Sequence, residues 1–262
     1  MYFDSCAHPT IDGGWLGSSR GVTFAQFKEE LASSDLVGSV AIGLPGIGGY
    51  DPIKYFELAV SYDLFPVAPL TSYEDPSIAS EIDELSKIGY TAIKIHPRLM
   101  GKNNDWSFLK AALSRIHEAN MTAFICTYYG ASNSAVLPQR DPYWDLTDAF
   151  NSTPECQAVL LHGGVVRILE YSLFARHLKH VLLDLSYVMM KYKDSSITAD
   201  IKFLMSDLDQ KLCVGSDSPE CTTREISEEL IRYSASLETN KFDNIRSNNL
   251  MKLLGVAASP KS

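Results

Sequence analysis

The sequence contains no apolar run long enough to span a bilayer, and its first residues lack the basic and apolar segments of a secretory signal peptide. We therefore expect a cytoplasmic protein that is not embedded in a membrane. Cysteine is also scarce. The chain has 5 cysteines, an odd number without the spacing of a disulfide framework, which favours free thiols in a reducing compartment.

Positive charge is in short supply as well. The chain has 23 lysine and arginine residues against 32 aspartate and glutamate residues, for a net charge of -9. This excess of negative charge argues against nucleic acid or an anionic membrane as the main partner. The glycine-rich stretch at residues 43–49 has neither the GxGxxG spacing nor the lysine of a phosphate-binding loop. A small-molecule substrate is the expected partner, and the sequence leaves the oligomeric state open.

No linker rich in proline, glycine and serine divides the chain, and no repeat or low-complexity segment is present. The 262 residues are 45% hydrophobic and 21% charged, which is typical of a globular protein with a substantial core. We therefore expect residues 1–262 to form one domain.

Apolar segments rich in β-branched residues alternate with helical patterns along the whole chain. Helix starts are indicated by Thr23 as an N-cap and by prolines at the first helical position after Asp51 and Asp75, and Gly89 indicates a helix end. The predicted strands span residues 2–8, 39–44, 65–70, 91–96, 122–128, 158–162, 181–187 and 211–217. Three of the predicted helices span residues 106–119, 165–177 and 242–254.

Eight strands that alternate with helices predict an α/β protein with a parallel sheet. Eight such units close naturally into a (β/α)8 TIM barrel, and an open doubly wound sheet is the alternative. In a barrel of this kind, functional residues lie at the carboxyl ends of the strands, so the strand ends indicate where chemistry takes place.

Polar side chains are concentrated at those predicted strand ends. In an extended strand alternate side chains share a face, so Cys6 and His8 point the same way, as do Lys94 and His96. Because parallel strands end on one rim, we expect these groups to converge there. The other polar residues at predicted strand ends are Cys126, Tyr128, His162, Asp184, Ser186 and Asp217.

Five short motifs follow one another along the chain. They are Asp-Ser-Cys-Ala-His at 4–8, Ile-Lys-Ile-His-Pro-Arg at 93–98, Leu-His-Gly-Gly at 161–164, Val-Gly-Ser-Asp-Ser-Pro at 214–219, and Asn-Asn-Leu-Met-Lys-Leu-Leu-Gly at 248–255. In this order the motifs resemble the amidohydrolase superfamily, in particular its amidohydrolase-related branch, which includes the aminocarboxymuconate-semialdehyde decarboxylase group. The resemblance extends over nearly the whole chain and implies a metal-dependent hydrolase barrel.

The resemblance also implies a set of metal ligands, with two departures from the family. Cys6 stands where the family has the first histidine of Asp-x-His-x-His, and Cys126 stands where it has a histidine on the fifth strand. Together with His8 and Asp217, the two cysteines would hold a divalent metal, with zinc the expected ion because thiolate is a good zinc ligand. The alternative is that the metal is lost and that both cysteines are small buried packing residues.

Two residues have expected catalytic roles. The resemblance implies that His162 assists as a metal ligand or as an acid or base, and that Asp217 activates water. For Asp217, an N-cap of the turn at residues 218–220 remains an alternative.

The expected substrate-binding residues are Lys94, His96, Arg98 and Tyr128. A charged lysine inside a barrel must be paired, and Asp217, Asp184 or a bound anion could pair with Lys94. Arg98 could hold a carboxylate with two hydrogen bonds.

These expectations combine into a hydrolase that cleaves an ester, lactone or amide bond in a small molecule with a carboxylate. Water would be activated by Asp217 with or without a metal. A decarboxylase of the same superfamily and a barrel that has lost catalysis and only binds a ligand are the alternatives.

Overall fold

The computed structural model describes residues 2–16, 20–97, 106–128 and 141–257. Within them, eight strands form one sheet in the order of the chain, and every neighbouring pair from the first strand to the eighth is parallel. The strands are β1 Tyr2–Asp4, β2 Leu36–Ile42, β3 Phe65–Pro69, β4 Ala92–Ile95, β5 Thr122–Cys126, β6 Ala158–Leu161, β7 Val181–Asp184 and β8 Leu212–Cys213.

The sheet closes on itself through the segments that follow β1 and β8. Backbone hydrogen bonds run from Ser5 N to Val214 O (3.0 Å), from Asp217 N to Cys6 O (2.6 Å) and from His8 N to Ser218 O (2.9 Å). The predicted (β/α)8 barrel is therefore confirmed, and the alternative of an open doubly wound sheet is wrong.

Helices follow the strands and cover the outside of the barrel. They are α1 Phe24–Ala32, α2 Pro52–Ser61, α3 Asp75–Ile88, α4 Leu109–Glu118, α5 Tyr143–Ser152, α6 Ile168–His177, α7 Val188–Lys191, α8 Ser196–Asp207, α9 Thr223–Ser234, α10 Thr239–Asp243 and α11 Asn249–Leu254. Thr23 forms a capping box at α1, Asp51 caps α2, and Gly89 ends α3 in the left-handed conformation, as predicted. The predicted start of α3 is wrong by one residue: Asp75 is its first residue, and the N-cap is Glu74, which makes no side-chain cap hydrogen bond.

Seven of the eight strands are shorter than the sequence predicts, whereas β2 spans Leu36–Ile42 in place of residues 39–44. At two predicted strand ends the backbone conformation excludes residues from the strand. The predicted sixth and eighth strands include His162 and Asp217, but both residues have left-handed backbones, with φ of 63° and 56°. A left-handed residue cannot continue an extended strand. The polar residues that the sequence assigns to these strand ends therefore lie in the turns just beyond the ladder.

The helix boundaries also differ in three places. The predicted helix at 165–177 begins at Ile168, because residues 162–165 all have positive φ. The predicted helix at 242–254 is divided by a π-helical turn, Asn244–Asn248. The predicted helix at 106–119 shortens to Leu109–Glu118.

The apolar core has two parts, one between the sheet and the helices and one inside the barrel. The interior cluster includes Phe3, Val40, Phe124, Val159 and Cys213 from the strands. Leu250 and Met251 of α11 pack against this cluster and close the amino-terminal end of the barrel. Polar side chains lie at the carboxyl-terminal end of the barrel. No helix in the described part of the chain is long and apolar enough to cross a membrane.

Truncation of the helix that closes the barrel tests this arrangement. Leu250 is 1% exposed, so Leu250→Ala removes buried methyl groups and leaves a cavity, and we expect the free energy of unfolding to fall by about 2–5 kcal/mol. Leu169→Ala is the control because Leu169 is 42% exposed, and it should cost about 0.5 kcal/mol or less. Urea denaturation of both variants measures the difference. Equal losses of unfolding free energy in the two variants would show that α11 does not close the core.

Candidate active site at the carboxyl ends of the strands

Three side chains meet where the barrel closes. The Cys6 thiol donates a hydrogen bond to Asp217 Oδ1 at 3.3 Å. His8 Nε2 lies 3.7 Å from Cys6 Sγ and 3.5 Å from Asp217 Oδ1. The sequence therefore correctly predicts that Cys6 and His8 face the same side and that Asp217 reaches them from the far end of the chain.

The backbone fixes which nitrogen of His8 faces this cluster. His8 Nδ1 lies 3.0 Å from the carbonyl oxygen of Ile42. A carbonyl only accepts hydrogen bonds, so Nδ1 carries the proton and, in the neutral ring, Nε2 presents a lone pair to Cys6 and Asp217. Histidines that bind metals are commonly held in this way, with the second nitrogen donating to a backbone carbonyl.

Asp217 is held in the cluster by its own backbone and by its neighbours. Its backbone N–H donates to Cys6 O, and its side chain faces Cys6 and His8. The cap of the following helix, α9, is Thr222. In the turn at residues 218–220 the backbone N–H of Glu220 donates to the backbone oxygen of Asp217 at 2.9 Å, and the alternative role of the Asp217 side chain as a cap of this turn stays an expectation. Burial alone would raise the pKa of Asp217, but the nearby His162 and the contact with His8 hold it below its usual range.

A buried carboxylate, Asp4, organises the loops on both sides of this closure. It accepts hydrogen bonds from the backbone N–H groups of Cys6 (3.0 Å) and Ser216 (2.9 Å) and from Ser216 Oγ (2.6 Å). Gly215 is needed beside it, because a Cβ there would lie 2.5 Å from Cys6 N. The position of Cys6 is therefore set by Asp4 and Gly215 together.

His162 lies in the turn after β6 and is oriented by a second buried carboxylate, Asp184. Ser5 and Ser186 both donate to Asp184, and the backbone N–H of His162 donates to Asp184 Oδ2 at 3.1 Å. Since the Ser186 hydroxyl proton is used on Asp184, its oxygen accepts from His162 Nδ1, 3.2 Å away. Nε2 of His162 is therefore the nitrogen on the side of the ring away from Ser186.

Cys126 belongs to the His162 side of the site. Burial alone would raise the pKa of its thiol, but charge interactions and hydrogen bonds with His96 and His162 hold that pKa well below its usual range. In turn, burial alone would lower the pKa of His162, but Asp217 and Cys126 raise it above its usual value. The structure thus places Cys126 as the partner of two histidines, and its predicted role as a metal ligand stays a prediction.

Lys94 brings an isolated positive charge into the same region. Its side chain is 1% exposed, and its Nζ has no hydrogen-bond partner among the residues that the structure describes. Its charge contributes to the pKa shifts of Cys6, His162 and Asp217, behind burial in each case. The expected direct pairing with Asp217 or Asp184 is therefore not made, and a bound anion is the alternative that remains.

Aromatic rings border His162. Tyr128 is half-buried, and its ring centroid lies 6.3 Å from that of His162 and 5.4 Å from that of Tyr187. Tyr187 has a left-handed backbone, with φ of 62°. On the other side, Trp15 lies 5.6 Å from His8, ring to ring. Arg98 lies outside the described residues.

Sequence reasoning did not assign a role to Asp4, Trp15, Ser216 or Tyr187. Asp4 and Ser216 lie within the motifs that resemble the amidohydrolase superfamily, and their place in those motifs is the signal by which the sequence could have identified them. Trp15 and Tyr187 reach the site through turns, and the sequence pattern contains no signal for those turns.

The donor atoms of the site suit a divalent metal. Cys6, His162 and Asp217 offer ligand atoms that all lie within 4.8 Å of one another, and His8 Nε2 is in contact with two of them. Ligand atoms bound to one zinc at about 2.0–2.3 Å lie roughly 3.3–3.8 Å apart in a tetrahedral arrangement, which matches the separations among Cys6, His8 and Asp217. These three residues therefore fit a metal with an open fourth position.

Comparison with known proteins supports the fold. No protein-family model matches the chain, and no curated protein matches its sequence. An uncharacterised TIM-barrel protein from Bordetella bronchiseptica is structurally similar, with a TM-score of 0.78 and 15% identity over 97% of this chain and 98% of that chain.

Two further structures have hydrolytic names. A proposed 2-pyrone-4,6-dicarboxylic acid hydrolase from Pseudomonas putida has a TM-score of 0.68 and 14% identity, over 97% of each chain. Dihydropyrimidinase from Brevibacillus agri has a TM-score of 0.64 and 15% identity over 97% of this chain and 70% of its own. At these identities the similarity establishes the barrel.

Metal binding by Cys6 can be tested directly. Burial, followed by the charge of Asp217, raises the pKa of the Cys6 thiol well above its usual value, so the thiol is protonated before metal arrives. Zinc binding should therefore release about one proton and tighten as pH rises. Isothermal titration calorimetry of the chelator-treated protein in buffers of different ionisation enthalpy measures both effects.

Two alanine variants provide the matched comparison. Cys6→Ala should weaken zinc binding by at least about tenfold, because it removes a direct ligand. Cys156→Ala should leave binding unchanged, since Cys156 is buried in the separate core between the sheet and the helices. Equal zinc affinity in both variants would exclude Cys6 as a ligand.

Proposed function

We propose that the chain is a hydrolase that cleaves an ester, lactone or amide bond in a small molecule carrying a carboxylate. The observation that carries this proposal is the buried ammonium of Lys94, which has no hydrogen-bond partner among the described residues and interacts by charge with Cys6 and Asp217. The names of two structural neighbours, a dicarboxylic acid hydrolase and a dihydropyrimidinase, are consistent with this class of reaction.

The positive charge of Lys94 favours a negatively charged substrate. An uncompensated charge inside a barrel costs several kcal/mol, and an anion that reaches Nζ recovers much of that cost. The side chain is on β4, a strand of the rigid barrel wall, so the ammonium is held in place before substrate arrives. A carboxylate on the substrate would therefore dock at Lys94 and direct the bond to be cleaved towards Asp217 and His162.

Asp217 is the proposed general base. Cys6 and His8 both contact Oδ1, so Oδ2 is the oxygen that takes a proton from the attacking water. The lowered pKa of this carboxyl favours its ionised form, which is the form that accepts a proton.

His162 is the proposed general acid. Asp217 and Cys126 raise the pKa of His162, which favours the protonated ring, and Ser186 holds Nδ1 so that Nε2–H is the proton to be donated. The leaving oxygen or nitrogen takes this proton as the bond to the carbonyl carbon breaks. Cys126 supports the charged ring, and Tyr128 lies at its edge.

A divalent metal held by Cys6, His8 and Asp217 would polarise the scissile carbonyl and acidify a bound water. Cys126 has a separate part in this proposal, since its contacts are with the acid, His162. Zinc is the proposed ion because the donor set combines thiolate, imidazole and carboxylate.

Replacement of the base tests the mechanism. Asp217→Asn keeps the shape of the side chain and removes the charge that accepts a proton, so turnover should fall by on the order of a hundredfold or more. The measurement is hydrolysis of a panel of lactones, esters and cyclic amides that carry a carboxylate, with released carbon dioxide assayed in parallel. Asp63→Asn is the control, because Asp63 is an exposed residue whose carboxylate pairs with Lys28 at the surface.

Unchanged turnover in a folded Asp217→Asn protein would contradict the mechanism. Release of carbon dioxide without hydrolysis would show that the reaction is a decarboxylation and not a hydrolysis. Saturable binding of carboxylates without any turnover would indicate a barrel that has lost catalysis and only binds a ligand.

A second variant tests the role of Lys94. Lys94→Met keeps the length of the side chain and removes its charge, so KM for carboxylate substrates should rise by about thirtyfold or more, equivalent to about 2 kcal/mol. The ligand-free variant should be at least as stable as the parent protein, because an uncompensated buried charge is gone. Enzyme kinetics and thermal melting measure the two effects.

Lys87→Met is the matched control, since Lys87 is exposed on α3, and neither property should change. A Lys94→Met protein that binds carboxylate substrates as well as the parent protein would show that Lys94 does not hold the substrate.

A further inference from the structure

A large groove lies at the opposite end of the barrel from the candidate active site. Its volume is about 750 Å3, within the usual range for small-molecule pockets. Gln157, His180 and Lys211 line it, and they immediately precede β6, β7 and β8. The other wall comes from the last helical segment, including Asn248 and Lys252. The groove is therefore at the amino-terminal ends of these strands.

The groove is basic although the chain is acidic. Among the described residues its lining includes Lys179, Lys211, Lys252 and His180 and no aspartate or glutamate, whereas the whole chain carries a net charge of -9. None of the three lysines forms an ion pair with any residue in the described ranges. The rest of the polar lining is made of carboxamides. Such a lining attracts an anion that also accepts and donates hydrogen bonds.

Lys211 is held in position within this groove. Its ammonium donates to the carbonyl oxygens of Leu178 (2.9 Å) and Lys179 (2.6 Å), so one of its three N–H groups remains for a ligand. Burial, followed by repulsion from Lys252, lowers the pKa of Lys211. An anion between the two ammonium groups would relieve that repulsion.

Two carboxylates contact residues that line the groove. Asp209 accepts a hydrogen bond from Asn244 Nδ2 at 2.7 Å, and Glu155 lies 3.4 Å from His180 Nε2. Neither side chain lines the groove. The positive charge of the three lysines is therefore not balanced from within the groove.

We propose that this groove binds a phosphorylated small molecule of nucleotide size, with Lys179, Lys211 and Lys252 at its phosphates and the carboxamides at the remainder. Three ammonium groups match the charge of an oligophosphate. Lysine binds phosphate as a compact positive charge and does not require the planar, two-hydrogen-bond geometry of arginine. This site is separate from the proposed hydrolase site and does not depend on it.

Calorimetric titration of the full-length protein with ATP, AMP and inorganic triphosphate tests the proposal. We expect saturable binding of ATP, weaker binding of AMP, and an affinity that falls as salt is raised. The double variant Lys179→Ala/Lys252→Ala should raise the Kd for ATP at least tenfold. Both lysines are exposed, so the fold is retained. The control, Lys87→Ala/Lys110→Ala, removes two exposed lysines from α3 and α4 and should leave the Kd unchanged.

The outcomes separate cleanly. Triphosphate binding as tight as that of ATP would assign the affinity to the phosphates, and tighter binding of ATP would assign part of it to the nucleoside. Both outcomes support the site. No saturable binding of either compound, or equal weakening in the two double variants, would overturn it. Hydrolase activity is measured separately in the double variant and should be unchanged.

Discussion

The site depends on the closure of the barrel between its first and last strands. Two segments more than 200 residues apart in sequence are joined by backbone hydrogen bonds between residues 5–8 and 214–218, and the buried Asp4 carboxylate ties the loops together. Burial raises the pKa of Asp4 to about 7 although three hydrogen bonds oppose the shift. This arrangement places Cys6 and His8 beside Asp217, so the fold and the candidate chemistry share one set of contacts.

The site has one region that suits a cation and another that suits an anion. On one side, the lone pairs of His8 Nε2, Cys6 Sγ and Asp217 converge with separations of 3.3–3.7 Å, which suits a cation. On the other side, the Lys94 ammonium is buried without a hydrogen-bond partner in the described part of the chain, which suits an anion. A hydrolase that uses a metal and binds a carboxylate needs both features, and here they lie within electrostatic reach of each other.

Much of this architecture is visible in the sequence. The alternation of strand and helix patterns predicts the barrel, and the polar strand ends correctly bring Cys6, His8 and Asp217 together. The predicted sixth and eighth strands extend to His162 and Asp217 because nothing in the side-chain pattern marks these two residues as left-handed. The pairing of Cys126 with His96 and His162 was also missed, since a strand position indicates the rim but not which neighbours across it make contact. The isolation of Lys94 depends on distances in three dimensions, which sequence spacing does not give.

We infer that Cys6, His8 and Asp217 form a metal site with Cys6 as a direct ligand. X-ray absorption spectroscopy of the zinc-loaded protein measures the ligand shell itself. The account predicts sulfur at about 2.3 Å together with nitrogen or oxygen at about 2.0–2.2 Å, and loss of the Cys6 sulfur in Cys6→Ala. A shell made only of oxygen atoms, or a sulfur signal that is the same in Cys6→Ala, would contradict it.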